Sequence, residues 1–258
     1  LRLLLLLPVL ASCLWLGHSE VVTSFASCPR FFYEETTPNE ALQPQNAAWI
    51  CQRYSNQYHF ATLYDRDRRI PVYSAYVYQP GTDKRPHSWW FVEPQVSDGV
   101  RWPQDKAYAG SGTGDERVRL SVEGFLEWCF RQSHENGNNK SATFTLTNIV
   151  PQDSTLNKGA WKEYEKKMMA QKTQGCTSTY VIVGAVPGNT YIANGRVNVP
   201  SHIWSAACCQ TNTNMKAWAV IAENDKNQVQ SLTLGKLEKM LTQLCRGKKV
   251  SLFHSECP

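Results

Sequence analysis

At 258 residues and 29.3 kDa, with 42% hydrophobic, 11% aromatic and 19% charged residues, the chain has the composition of a folded protein. Disordered, collagen-like and fibrous classes are excluded, and 15 Gly and 13 Pro imply no low-complexity linker. The 27 Lys+Arg against 22 Asp+Glu leave a net charge of +5, which permits an anionic partner without demanding one.

Arg2, a leucine-rich stretch and the small residues before Ser19 read as a secretory signal peptide over residues 1–19, cut near Ser19–Glu20. No Met opens the sequence, so the first residue or residues are expected to be missing. The apolar run is too short to span a bilayer and contains Pro8, so the expected product is secreted and extracellular, with no membrane anchor. Residues 20–258 show no internal boundary and no repeat, and are expected to form a single domain.

Setting aside Cys13, eight cysteines remain: Cys28, Cys51, Cys129, Cys176, Cys208, Cys209, Cys245 and Cys257. An even number in an exported chain predicts up to four disulfides. The adjacent Cys208 and Cys209 should take different partners, because a bridge between neighbours strains the geometry. No CxxC or paired Cys/His spacing supports a zinc site. Asn139-Lys140-Ser141 is a glycosylation sequon compatible with secretion.

In chain order, residues 59–64 and 70–78 predict a hairpin of aromatic-rich strands across Asp65-Arg66-Asp67-Arg68. Trp89-Trp90-Phe91-Val92 is a further apolar stretch. Residues 110–139, rich in Gly, Ser, Asn and charge, carry no assignable element. Residues 143–147 alternate as a half-buried strand should, with a turn at Pro151. Helical spacing of Trp161, Tyr164 and Met168 predicts a helix over about 158–171. Residues 180–186 are a β-branched central strand, 217–221 another, and residues 234–244 a helix with Leu234, Leu237, Met240, Leu241 and Leu244 on one face. Strands interleaved with few helices predict an α+β fold with a mainly antiparallel sheet and flanking helices.

The stretch from Thr145 to Glu165 carries the chemistry. A strand ends, Pro151 turns the chain, and a helix begins near Asn157. Asn157 and Glu165 lie eight residues apart. At about 100° per residue they sit two turns apart, roughly 80° out of line. An amide oxygen and a carboxylate so placed can hold a hydrated hard cation, one directly and one through water. The plainer alternative makes Asn157 a helix cap and Glu165 a solvated face residue.

This stretch resembles the DNA/RNA non-specific endonuclease family, and in particular a secreted subgroup of it. The ββα-metal site of that family uses a strand, a loop and a helix of this pattern. Further matches are Arg69-Ile70-Pro71-Val72-Tyr73-Ser74-Ala75-Tyr76 and Arg196-Val197-Asn198-Val199-Pro200-Ser201-His202-Ile203-Trp204, with residues 232–238 and 250–254 near the C-terminus. Together they cover roughly residues 50 to 257. The resemblance implies a ββα-metal nuclease fold, hydrolysis of phosphodiesters in DNA or RNA, and a Mg2+ cofactor. It implies that Asn157 ligates the metal, that Glu165 orients its water shell, and that Asn148 lies near the scissile phosphate. The metal would stabilise charge on the phosphate, and a histidine would take the proton of the attacking water.

That histidine is where the sequence departs. The family motif Asp-Arg-Gly-His, placed by Tyr108-Ala109-Gly110-Ser111-Gly112, falls on Glu116-Arg117-Val118-Arg119. Arg119 then occupies the histidine position. A tighter spacer before Asn148 places the position near Glu127. Arginine, with a pKa above about 12, cannot act as a base, although its guanidinium can bind phosphate in bidentate fashion. His134 reads as a polar-loop residue; His59, His87, His202 and His254 read as structural.

Two explanations compete: a lost general base in a retained fold, or a faulty translation over residues 112–128. The function predicted is accordingly a secreted metal-dependent endonuclease-family protein with impaired hydrolysis. The alternative is a catalytically inactive nuclease-fold protein, a pseudoenzyme that binds nucleic acid or acts as a scaffold. Lys162, Lys166 and Lys167 on the metal helix are candidate nucleic-acid contacts, with a solvated helix face as the plainer reading. A generic disulfide-stabilised interaction module is the remaining class.

Overall fold

The computed structural model describes residues 20–79, 125–129, 142–143, 145–245 and 247–258. The expected leader at 1–19, the stretch at 89–92, the sequon at Asn139, and Arg119, His87 and His134 lie outside the described residues.

An antiparallel eight-stranded sheet forms the centre. Its spatial order is β1 (Glu20–Val22), β2 (Ala47–Tyr54), β3 (Gln57–Asp65), β4 (Ile70–Val77), β7 (Ser178–Val186), β10 (His202–Gln210), β11 (Met215–Glu223) and β12 (Gln230–Leu232), while β8 (Thr190–Ile192) and β9 (Val197–Val199) pair apart from it. The expected hairpin is present as β3 and β4. Its turn is held by Asp65, which accepts the backbone N–H groups of Asp67 and Arg68 and pairs with the Arg68 guanidinium at 2.9 Å. β7 and β11 are the two expected apolar strands. In β7 a side chain at Gly184 would run into the Trp204 ring of β10, so glycine lets those strands lie close.

Alternation along the strands sends side chains to two separate cores. One face packs Leu63, Tyr73, Ala75, Trp204 and Ile221 under Phe25, Phe31, Phe32 and a C-terminal helix, α2 (Leu234–Leu244). α2 matches its expected span; Leu234, Leu237 and Leu241 are buried, and the Thr233 side chain caps its first turn. The opposite face packs Tyr76, Val183, Ile203, Trp218 and Val220 under Leu156, Trp161, Tyr164 and Met169. Those last four residues belong to helix α1. It begins α-helical at Ser154–Leu156, passes through π-helical Asn157–Trp161 and Tyr164–Met168, and ends α-helical at Met169–Lys172. The α+β fold with a mainly antiparallel sheet and flanking helices is therefore the one expected.

Two local expectations fail. Within the alternating residues 143–147 the chain turns instead of extending: Leu146–Asn148 is a 3-10 turn closed by Asn148 N–H donating to the Thr145 carbonyl at 3.0 Å. Both apolar and polar side chains are buried there, so the alternation does not mark a solvent face. The strand instead follows as β6 (Ile149–Asp153), pairing antiparallel with β5 (Phe125–Cys129), and Pro151 lies inside it rather than turning the chain. A two-stranded ribbon tolerates Pro because only one side of β6 is laddered. Its free carbonyl accepts from the side-chain amide of Asn224 at 3.1 Å.

Among the described residues the disulfides are Cys28–Cys51, Cys176–Cys209 and Cys208–Cys257, so the adjacent cysteines do take different partners. No helix among the described residues is long and apolar enough to cross a membrane.

Candidate active site

β5, β6 and α1 follow one another as two antiparallel strands and a helix, set on the second face of the sheet. The helix starts at Ser154, earlier than expected, because Asp153 is its cap. The Asp153 Oδ1 accepts from Thr155 N–H at 2.8 Å and Leu156 N–H at 3.1 Å. The Thr155 hydroxyl foremost, and then these backbone N–H groups, hold the Asp153 carboxyl below its usual range.

Asn157 is therefore not the helix cap. It lies one turn inside with helical backbone angles (φ −67°, ψ −43°) and is 3% exposed. Its Nδ2 has no hydrogen-bond partner among the described residues. Burying an amide unpaired costs about 1–3 kcal/mol, so such an atom calls for an explanation. The two ends of a carboxamide exchange by a half-turn, and the orphaned position suits a carbonyl oxygen aimed at a cation.

Glu165 is half-buried two turns on, where its Oε1 accepts from Trp161 Nε1–H at 3.2 Å. Trp161 in turn packs against Tyr164, ring centroids 5.4 Å apart, and the Tyr164 hydroxyl meets Ser205 Oγ on the sheet at 2.8 Å. The Glu165 side chain is thus oriented from beneath. The regular 100° stepping does not apply between Asn157 and Glu165. Two π-helical segments widen the turns, and Gly159 leaves helical angles altogether (φ −101°, ψ −112°). Wide turns of this kind concentrate at functional sites.

Asn148 is fully buried at the head of β6. Its Oδ1 accepts from Ser74 Oγ–H of β4 at 3.0 Å, Ser74 meets Thr62 Oγ1 of β3 at 2.8 Å, and its Nδ2 donates to the Thr143 carbonyl at 3.3 Å. A second bond, Thr145 Oγ1 to Gln52 Oε1 at 3.2 Å, runs beside it. Ser74 and Tyr76 share the face of β4 that α1 covers, so Asn148, Asn157 and Glu165 all belong to one layer.

The donor set fits a hard cation. Amide and carboxylate oxygens are the ligands such ions prefer, and Mg2+ keeps several waters rather than filling its shell with protein groups. The described residues contain no group of three or more His, Cys, Asp or Glu that could hold a metal.

Each described histidine has a structural partner. His59 Nε2 meets the Tyr54 carbonyl at 2.8 Å, His202 Nδ1 meets Ser201 Oγ at 3.0 Å, and the His254 ring lies against Tyr33. Exposed on α1 are Lys158, Lys162, Lys166, Lys167 and Lys172, of which Lys167 pairs with Glu163 at 2.6 Å. Two supports escaped sequence reasoning, Asn224 and Asn227, because Asn224-Asp225-Lys226-Asn227 reads as an ordinary polar turn. Gln152, buried with an Nε2 that has no partner among the described residues, also escaped notice.

A ribbon and helix bearing an amide and a carboxylate on a sheet define a nuclease-type scaffold. The chain belongs to the DNA/RNA non-specific endonuclease family, whose model matches residues 37–250. It is 28% identical over 246 residues to the Endonuclease domain-containing 1 protein of Mus musculus, covering 90% of this chain and 48% of that protein. The Homo sapiens protein of the same name is 27% identical over 236 residues, covering 86% and 47%. The chain thus spans about half the length of these relatives. Its fold is also that of a chain in the crystal structure of the EndoG/EndoGI complex, with TM-score 0.57, 13% identity, and 84% and 90% of the two chains covered.

Proposed function

We propose that this protein is a secreted, single-domain member of the family that binds DNA or RNA beside a Mg2+ ion and hydrolyses phosphodiesters poorly. The observation that carries the reading is Asn157: a buried carboxamide, relieved of capping by Asp153, with an unpaired atom on a widened turn of the helix that follows the ribbon. Asn157 would ligate the ion, and Glu165, oriented by Trp161, would order its water shell. When bound, the ion supplies electrostatic stabilisation of the charge that develops on the phosphate.

Asn148 would act from beneath. Fully buried, with Nδ2 donating to the Thr143 carbonyl and Oδ1 accepting from Ser74, it would hold the head of the ribbon near the phosphate. Arg119, at the histidine position, would bind phosphate without accepting a proton. The histidines with described partners are engaged elsewhere, which supports weak hydrolysis.

The test is cleavage of plasmid DNA and RNA by purified protein with Mg2+, with and without chelator, beside Asn157→Ala. Slow nicking that both chelator and the substitution abolish is expected. Rapid chelator-sensitive cleavage would refute the impairment, and chelator-resistant cleavage untouched by the substitution would refute the metal role. Mg2+-dependent retention of nucleic acid with no cleavage would instead identify the inactive, scaffold form.

A further inference from the structure

We infer that Asn227, in the turn between β11 and β12, is a positioning residue for Asn157, and that this turn is a second support of the cation site. The inference rests on the reading of Asn157 as a ligand. Ala160 N–H, in the π-helical segment that begins at Asn157, donates to the side-chain Oδ1 of Asn227 at 2.7 Å, across 67 residues of sequence. The carboxamide reaches that N–H only because residue 159 is glycine: a Cβ there would lie 2.8 Å from Asn227 Cγ. Widening the turn leaves a helix N–H in need of an acceptor, and Asn227 supplies it from outside the helix.

A second asparagine of the same turn holds the approach to the helix. Asn224 is buried; its Oδ1 accepts from Asp153 N–H at 3.1 Å, and its Nδ2 donates to the carbonyls of Pro151 at 3.1 Å and Pro200 at 2.9 Å. Asn157 therefore sits between two fixed points, Asp153 and Ala160, both held by one turn. Asn224 is part of the buried frame, whereas Asn227 is exposed and packs into no core. Its bond fixes the angles of the turn that aims Asn157, which is the role of a group one step outside a metal's ligands.

The test compares wild type, Asn227→Ala and Asn227→Asp by calorimetric Mg2+ titration, metal-free thermal unfolding, and amide hydrogen exchange at Ala160. Asn227→Ala is expected to weaken Mg2+ binding about 10- to 100-fold, with Ala160 exchange accelerated and the metal-free melting temperature close to wild type. Asn227→Asp, which keeps the acceptor, should restore wild-type affinity or better and restore protection. Wild-type affinity in Asn227→Ala overturns the inference, as does equal loss in both variants. A wild type that binds no Mg2+ sinks the reading of Asn157 as ligand, and this inference with it. Slow Ala160 exchange that Asn227→Ala accelerates would then show the contact to be a purely structural clamp.

Discussion

At the scale of single residues, Asn157 combines two properties that ordinary core positions keep apart: near-complete burial and a polar atom without a partner among the described residues. An apolar residue of the same γ-branched shape would remove the unpaired group, so Asn157→Leu should raise metal-free stability by about 1–3 kcal/mol while abolishing the stabilisation that Mg2+ gives. Urea unfolding with and without Mg2+ reads both signs; a destabilised variant would mean the amide has a structural partner. Ser74 shows the contrary case. It stands between Thr62 and Asn148, so Ser74→Ala strips a partner from each and should cost about 1–3 kcal/mol in the same assay. His202 adds a pH dependence. Burial pushes its imidazole below the usual value, against the pull of Glu223 and Asp225. The unfolded chain therefore binds the proton more readily: stability is full above about pH 6.5 and falls as pH drops toward the folded value. His202→Gln should flatten that part of the profile, as followed by thermal unfolding from pH 5 to 8.

Among the elements, α1 decides whether the site is built. Asp153→Ala should destabilise by about 1 kcal/mol through loss of the cap. The carboxyl is held below its ordinary pKa of about 3.9, so its contribution is present above that pH and fades as pH falls through the folded value. The gap between variant and wild type in urea midpoint should accordingly close below about pH 4; a constant gap would mean the charge is not what caps the helix. The same helix separates what local sequence can disclose from what it cannot. The spacing of Trp161, Tyr164 and Met168 announces a helix, and the Asn157–Glu165 interval announces two oxygen ligands on it. Where the helix starts was ambiguous, because Asp153 and Asn157 are both good caps and Pro151 reads as a turn residue. Only the pairing of β6 with β5 resolves it. The widened turn was hidden as well: it depends on Gly159 meeting Asn227, and nothing within the helix encodes that meeting. β10 escaped for a different reason. It is buried on both faces, and its run of Ser205, Ala206, Ala207, Cys208 and Cys209 alternates in neither size nor polarity.

For the molecule as a whole, β10 joins the two layers covalently. Successive side chains of a strand point to opposite faces, so Cys208 reaches Cys257 in the layer of α2 while Cys209 reaches Cys176, just beyond the end of α1. The loops closed span 49 and 33 residues. Loop-closure entropy gives about 4 kcal/mol for either bridge, so replacing either pair by alanine should lower stability by similar amounts. Function should distinguish them. Losing Cys176–Cys209 frees the far end of the helix that carries Asn157 and Glu165, and Mg2+ affinity should fall. Losing Cys208–Cys257 loosens the opposite layer, with the whole sheet between it and the site, and affinity should hold. Calorimetric Mg2+ titration of both double variants, at a temperature where each is folded, measures the difference. Equal losses would show that the sheet transmits disorder between its faces and that the site is not confined to one of them.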